Sequence, residues 1–221
     1  MSSFYQGVLK EIYERLYAHF GPQNWWPAET PFEVCVGAIL TQNTNWRNVE
    51  RAIENLKARG LLSPEALNEL TEGELAAFIR PAGYFRVKAR RLKAFVRWLV
   101  ENYGGRLEKL YEKETEELRR ELLSLPGIGP ETADSILLYA LERPVFVVDA
   151  YTRRILLRHG LVTEEADYHE IQELFMENLP PEVPLFNEYH ALLVACGKHL
   201  CRPKKPLCPD CPLRDLDEFS A

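Results

Sequence analysis

Four of the five cysteines, Cys196, Cys201, Cys208 and Cys211, crowd into one short stretch near the C-terminus, interleaved with Pro203, Pro206, Pro209 and Pro212. Crowded thiols in a chain with no sign of export point to metal ligation rather than disulfides. Proline-rich loops can hold thiolates outward around an ion or cluster. Zinc and a [4Fe–4S] cluster both accept four thiolates. Two Cys-x-x-Cys knuckles would suit zinc, but only Cys208 and Cys211 form such a pair, and Cys201 stands apart from it. The uneven spacing suits a cluster better. Cys35, inside the apolar "FEVCVGAIL", reads as a small core residue.

A second constellation lies in "LPGIGPETADSILLYALERPVFVVDAYTRR", from Leu125 to Arg154. Leu125-Pro126-Gly127-Ile128-Gly129 reads as a tight glycine turn feeding a helix. A lone carboxylate, Asp149, follows the apolar run Val145–Val148, where it would also cap a helix starting at Ala150.

These groups need a scaffold, and the composition supplies one. The chain has 221 residues, enough for one substantial core or two small ones, with 46% hydrophobic and 27% charged content. That is ordinary globular composition and argues against long disorder. The net charge of −6 argues against a simple basic nucleic-acid binder. Its distribution is uneven. Arg80, Arg86, Lys88, Arg90, Arg91 and Lys93 form a run without an acid, and "LEKLYEKETEELRRE" downstream cancels it. Taken alone, such a run is a solvated helix face. "MSSFYQGVLKEIYERLY" has the pattern of an amphipathic helix with acids, unlike a signal or transit peptide, and no apolar run is long enough to span a bilayer. The expectation is a cytosolic protein with no membrane partner.

Almost every segment has helical periodicity, with helices predicted near 4–19, 31–41, 45–58, 64–68, 73–79, 86–102, 114–123, 130–141, 150–158, 167–177 and 185–197. Gly and Pro mark the breaks at "GPQNWWPAETP", "RGLLSP", "RPAGYF", "NYGG", "LPGIG", "ERP" and "NLPPEVP". Thr71 with Glu74 forms a capping box, and Ser63 a weaker cap with Ala66 at the acid position. Only "VFVV" hints at a strand, and it is too short to build a sheet. The predicted fold class is all-α.

The glycine turn, the Val-Asp downstream and the Cys-x6-Cys-x2-Cys spacing occur in this order. Together they resemble the helix–hairpin–helix DNA glycosylases of the endonuclease III superfamily, over nearly the whole chain from Phe32 to Cys211. The resemblance implies two helical domains, 30–142 with the hairpin and 1–29 plus 143–221 with a [4Fe–4S] loop, and a DNA-binding cleft between them. It implies a partner, double-stranded DNA with a damaged base, and action as a monomer. Gly127 and Gly129 would let amides at the next helix start face a phosphate, a contact that positions DNA without reading sequence. Asp149 would face the flipped-out nucleotide, stabilising an oxocarbenium-like sugar or activating water.

Bifunctional relatives carry a lysine two residues after the second glycine, which forms a Schiff base. Here that position is Glu131, and a carboxylate cannot form the imine. The resemblance therefore implies a monofunctional glycosylase. Within the superfamily, "NWWPAETPFEVCVGAILTQNTNWRNVERAI" is similar to the 3-methyladenine glycosylase branch, so that Trp25, Trp26 and Trp46 would form a base pocket, with Glu131 able to face it. N-alkylated purines are often cationic, and indole faces offer them stacking and cation–π attraction. The alternatives are a mismatch or uracil/thymine glycosylase, an endonuclease III-like AP lyase and, from a different class, a non-catalytic DNA-binding iron–sulfur protein. Gln42 matches the position that fills the gap left by the extruded nucleotide, and Tyr84 the wedge between bases. Arg86 and Lys88 would follow the phosphate backbone, with Lys198, Arg202, Lys204 and Lys205 beside the cluster. The usual fourth cluster ligand position is Asp217 here, and Cys196 takes its place, giving the ligand set Cys196, Cys201, Cys208 and Cys211.

Overall fold

The computed structural model describes residues 2–26 and 28–216. Among them the regular elements are helical and none is a strand, in agreement with the periodicity. In chain order the α-helices are α1 (Ser2–Phe20), α2 (Pro31–Leu40), α3 (Trp46–Lys57), α4 (Pro64–Glu69), α5 (Glu72–Phe78), α6 (Phe85–Tyr103), α7 (Thr115–Ser124), α8 (Pro130–Ser135), α9 (Ala150–Arg158), α10 (Tyr168–Asn178) and α11 (Val183–His199). The chain divides into two compact units, an inserted one, Ala28–Arg143, and a split one, Met1–Pro27 with Pro144–Ala221.

The inserted unit is built around α2, which is buried from Phe32 to Leu40, as expected of a helix that is apolar on all sides. Thr30 starts it, its hydroxyl accepting from the Glu33 N–H at 3.1 Å, with Pro31 in the first turn where no N–H is needed. Onto α2, α3 turns Val49, Ala52, Ile53 and Leu56, at a spacing that puts all four on one helix face. A Leu56→Ala change there would leave a cavity and cost about 2–5 kcal/mol. From α6 come Leu92, Phe95, Val96 and Leu99. Burial pushes the Cys35 thiol well above its ordinary range, consistent with an inert core residue. The Thr71–Glu74 capping box forms, and Ser63 caps α4 through the Ala66 N–H. The single helix predicted over 130–141 is α8 followed by a π-helical turn, Ile136–Ala140, closed by the Leu141 N–H on the Ile136 carbonyl at 3.1 Å.

In the split unit α1 turns Val8, Leu9, Ile12 and Leu16 inward and packs on α10 and α11. The Tyr189 hydroxyl, fully buried, donates to the Leu9 carbonyl at 2.7 Å. An aromatic nucleus joins Phe146, stacked on Phe175 at 3.8 Å, with Phe186 and Tyr189 edge-on. Phe146 belongs to the "VFVV" segment, which is buried and, among the described residues, pairs with no strand. A buried backbone without a ladder must find other partners. Side chains of α10 supply them: the Gln172 amide donates to the Phe146 carbonyl at 2.7 Å, and the Val148 N–H donates to the Tyr168 hydroxyl at 3.4 Å. Ring stacking and these two bonds fix the backbone immediately before Asp149.

Candidate active site

Asp149 is the N-cap of α9. One carboxylate oxygen, Oδ1, accepts from the Thr152 N–H at 2.7 Å, so the capping role read from the sequence is present. The other, Oδ2, lies 3.5 Å from Nε2 of His190 on α11, and the Asp149 side chain is only 11% exposed. Burial alone would raise its pKa, but the His190 interaction and the Thr152 hydrogen bonds outweigh burial and hold it below the usual aspartate value. At neutral pH the group is a carboxylate. Sequence reasoning missed His190, although a lone basic residue in the apolar run "YHALLVACG" was a usable signal.

The helix that Asp149 caps also braces the cysteine segment. Arg154 donates to the carbonyls of Cys201 at 2.8 Å and Gly197 at 2.9 Å. Arg158 donates to the Cys201 sulfur at 3.2 Å and to the carbonyls of Arg202 and Pro203. α9 and α11 approach closely because residue 197 is glycine: a Cβ there would lie 2.5 Å from the Tyr151 ring. The four cysteines are free thiols, with Cys196 buried, Cys201 and Cys211 half-buried and Cys208 exposed. The Cys196 thiol holds Cys211 down, to about 6, while Cys211 and burial push Cys196 up. Among the described residues no three His, Cys, Asp or Glu side chains converge as a site for a metal ion. Asp217 lies outside the described residues. Lys198, Arg202, Lys204 and Lys205 are exposed.

Trp25 and Trp26 stand edge to face, ring centroids 5.7 Å apart, and both are half-buried. The loop carrying them is tied to α11, where Glu188 accepts from the Gln23 N–H at 2.7 Å. Trp46, in the inserted unit, is the half-buried first residue of α3.

The glycine turn of the inserted unit lies between α7 and α8. Gly127 has φ +81, a conformation that L side chains rarely adopt, and Gly129 is extended. Both glycines are exposed while Ile128 between them is buried, so one apolar side chain pins the turn and its backbone faces outward. A Cβ on Gly129 would meet nothing within 4 Å, which leaves room for a ligand group at that backbone. Arg119 of α7 grips the fully buried Asp134 of α8 with bonds of 2.6 and 3.0 Å and clamps the two helices. Glu131 is exposed in the first turn of α8.

Gln42 is already engaged with this turn: its amide donates to the Gly127 carbonyl at 3.0 Å and to the Thr132 hydroxyl at 2.9 Å, and Arg91 donates to its oxygen. Tyr84 is 73% exposed and left-handed, φ 45, at the N-cap of α6. Non-glycine residues seldom adopt that backbone, and such strain concentrates where a side chain has a task. Arg86 is exposed.

Lys88 corrects the expectation of a phosphate contact. It is 1% exposed, and its ammonium donates to the carbonyls of Leu40 and Ala82, both at 2.8 Å. Lys93 is likewise turned inward, onto the carbonyls of Leu67 and Asn68. The reason is periodic: Lys88 shares the inward face of α6 with Leu92, Phe95 and Leu99.

Comparison with known proteins fits this geometry. The profile described as HhH-GPD superfamily base excision DNA repair protein matches residues 36–181. A candidate DNA repair glycosylase of Methanocaldococcus jannaschii is 53% identical over 210 residues, 95% of each chain. Endonuclease III of Thermotoga maritima is 31% identical over 212 residues, 96% of this chain and 93% of its own. Among solved structures, the Helicobacter pylori 3-methyladenine DNA glycosylase bound to 1,N6-ethenoadenine superposes with a TM-score of 0.75 at 28% identity, over 88% of this chain and 97% of the other.

Proposed function

The chain belongs to the HhH-GPD superfamily of base excision DNA repair proteins and is a DNA glycosylase, and from that premise we propose that it is monofunctional and excises N-alkylated purines such as 3-methyladenine. The observation that carries the reading lies within the split unit. There α11 brings His190 to the ionised Asp149 and also anchors the loop bearing Trp25 and Trp26. Likeness to the 3-methyladenine glycosylase adds support.

In the proposed reaction the glycosidic bond breaks with its electron pair leaving on the base. A cationic alkyl-purine departs neutral, and positive charge develops on the sugar. Asp149, kept ionised and fixed through Oδ1, stabilises that charge, and water adds to the sugar carbon as its proton passes to the Asp149 carboxylate. Indole faces at Trp25 and Trp26 offer stacking and cation–π attraction to the extruded base, and Trp46 is a further candidate for such stacking. Glu131 offers no amine, so no Schiff base forms at that position. Gln42, Tyr84, Arg86 and the backbone of Gly127 and Gly129 are proposed to bind DNA, and the protein to work as a monomer.

Cys196, Cys201, Cys208 and Cys211 are proposed to hold a [4Fe–4S] cluster. They are four free thiols in one unit, and the Arg158 guanidinium donates to the Cys201 sulfur. The cluster would supply a fixed core for the proline-rich loop that Arg154 and Arg158 already grip.

A panel of duplexes, each with one lesion, tests the reading in single-turnover assays. Release of 3-methyladenine and 7-methylguanine should exceed that of uracil and thymine, with no adduct trapped by borohydride and iron in the purified protein. Equal release of uracil would remove the alkyl-purine assignment. A trapped adduct would show a lyase, and colourless zinc-loaded protein after anaerobic purification would remove the cluster.

A further inference from the structure

Four features of the inserted unit meet at α6. Lys88 donates to the carbonyls of Leu40 and Ala82, and each of these residues precedes a proposed DNA-probing side chain, Gln42 or Tyr84, by two positions. One turn further along α6, Arg91 donates to the Gln42 oxygen and lies across the hairpin turn: a Cβ on Gly127 would fall 2.4 Å from Arg91 Nε. Gln42 completes the circuit through the Gly127 carbonyl and the Thr132 hydroxyl. Tyr84 is itself the N-cap of α6.

The chemistry of this arrangement is that of a brace. A buried ammonium on two carbonyls gives both loops a strong charge-assisted bond to one rigid helix, and removing it would leave two buried acceptors without a donor. Lys88 itself is too buried to touch a phosphate. The planar Arg91 group holds the amide of Gln42 in one orientation, which a glutamine on a free loop would have to find after DNA arrives.

We propose that Lys88 and Arg91 are positioning residues that lock Tyr84, Gln42 and the hairpin turn into one rigid reading head, so that wedge insertion and gap filling occur as a single event. The inference rests on the proposed roles of Gln42 and Tyr84. It separates two costs. Extruding a paired base needs the probing groups in fixed register, whereas releasing an unpaired base does not.

The test compares Lys88→Met, Arg91→Met and Arg91→Lys in single-turnover release of the fastest-excised lesion, placed either in a fully paired duplex or in a mismatched bubble. The paired-to-bubble rate ratio should fall at least tenfold in both Met variants and recover in part in Arg91→Lys, which keeps a donor. Equal losses on both substrates, with a lower melting temperature, would overturn the proposal in favour of plain support of the fold. An unchanged ratio would overturn it as well. Should Lys88→Met not fold, the two Arg91 variants decide. Gln42→Ala and Tyr84→Ala separate the layers: if neither lowers the ratio, the DNA-probing assignment fails, and if both do while the Met variants do not, the brace fails.

Discussion

Two buried charges, one in each unit, have their pKa values pushed in the same direction for opposite reasons. Lys88 falls from 10.5 to about 8, first because burial disfavours its charge and then because Arg91 repels it. Asp149 also falls, but against burial, because His190 and Thr152 favour its charge. A lowered pKa on a base means surroundings that resist the ion; on an acid it means surroundings that want it. Lys88 therefore costs stability while ionised, and the carbonyls of Leu40 and Ala82 hold it. Asp149 is kept ionised with one oxygen anchored and the other beside a histidine. The first is the proposed brace and the second the proposed reagent, a distinction that burial alone would not have drawn.

The largest effect should come from the reagent. Asp149→Asn keeps the cap acceptor but removes the charge, and should lower single-turnover release by roughly 10²–10³-fold, as for loss of one transition-state electrostatic group, about 2.7–4 kcal/mol. DNA affinity measured by equilibrium binding should stay near that of the parent. Retained excision would end the assignment of Asp149 as the catalytic acid group.

Next comes the pH dependence of the brace. The unfolded chain holds the Lys88 proton up to about pH 10.4 while the folded chain releases it above about 8, so the unfolded state binds more protons between these values. Stability of the parent relative to Lys88→Met should therefore rise from pH 8 to 10.5, by up to about 3 kcal/mol at 1.36 kcal/mol per unit. Urea midpoints across that range check it, and a difference that stays flat or falls would mean that the carbonyls, not burial, set this pKa.

The smallest effect concerns His190. Its replacement by Leu removes the leading influence that lowers Asp149, so the Asp149 pKa should rise and the acid limb of the pH–rate profile should move to higher pH. Asp149's stabilising contribution, present above its unfolded pKa and lost as pH falls through the lower folded value, should shrink in the same variant. An acid limb that does not move would show that Thr152 suffices.

Much of this was legible from residues close together in the chain. The caps at Ser63, Thr71 and Asp149 involve partners three positions away, and the left-handed Gly127 is announced by its own residue type. Helical periodicity gave the all-α class and the buried Cys35, because a helix displays its pattern to any reader who counts in steps of three and four. The same count would have turned Lys88 inward, had its charge not suggested a phosphate. The inserted and split units could be expected only through a resemblance, since nothing local marks where a chain returns to an earlier core.

What the tertiary structure decided are the pairings across long loops. Lys88 meets Leu40 across 48 positions and Gln42 meets Thr132 across 90, while His190 reaches Asp149 from the start of the apolar stretch Ala191–Gly197 of α11. Such contacts depend on which helix faces pack together, and each exists only because the cores bury Leu, Val, Ile and Phe first and carry the polar groups with them. The sequence by itself determined the helices, their caps, the hairpin turn and the supply of one acid and four thiols. Only folding decided which buried charge its surroundings resist and which they favour, because a side chain's free energy of ionisation is set by neighbours that the linear order does not name.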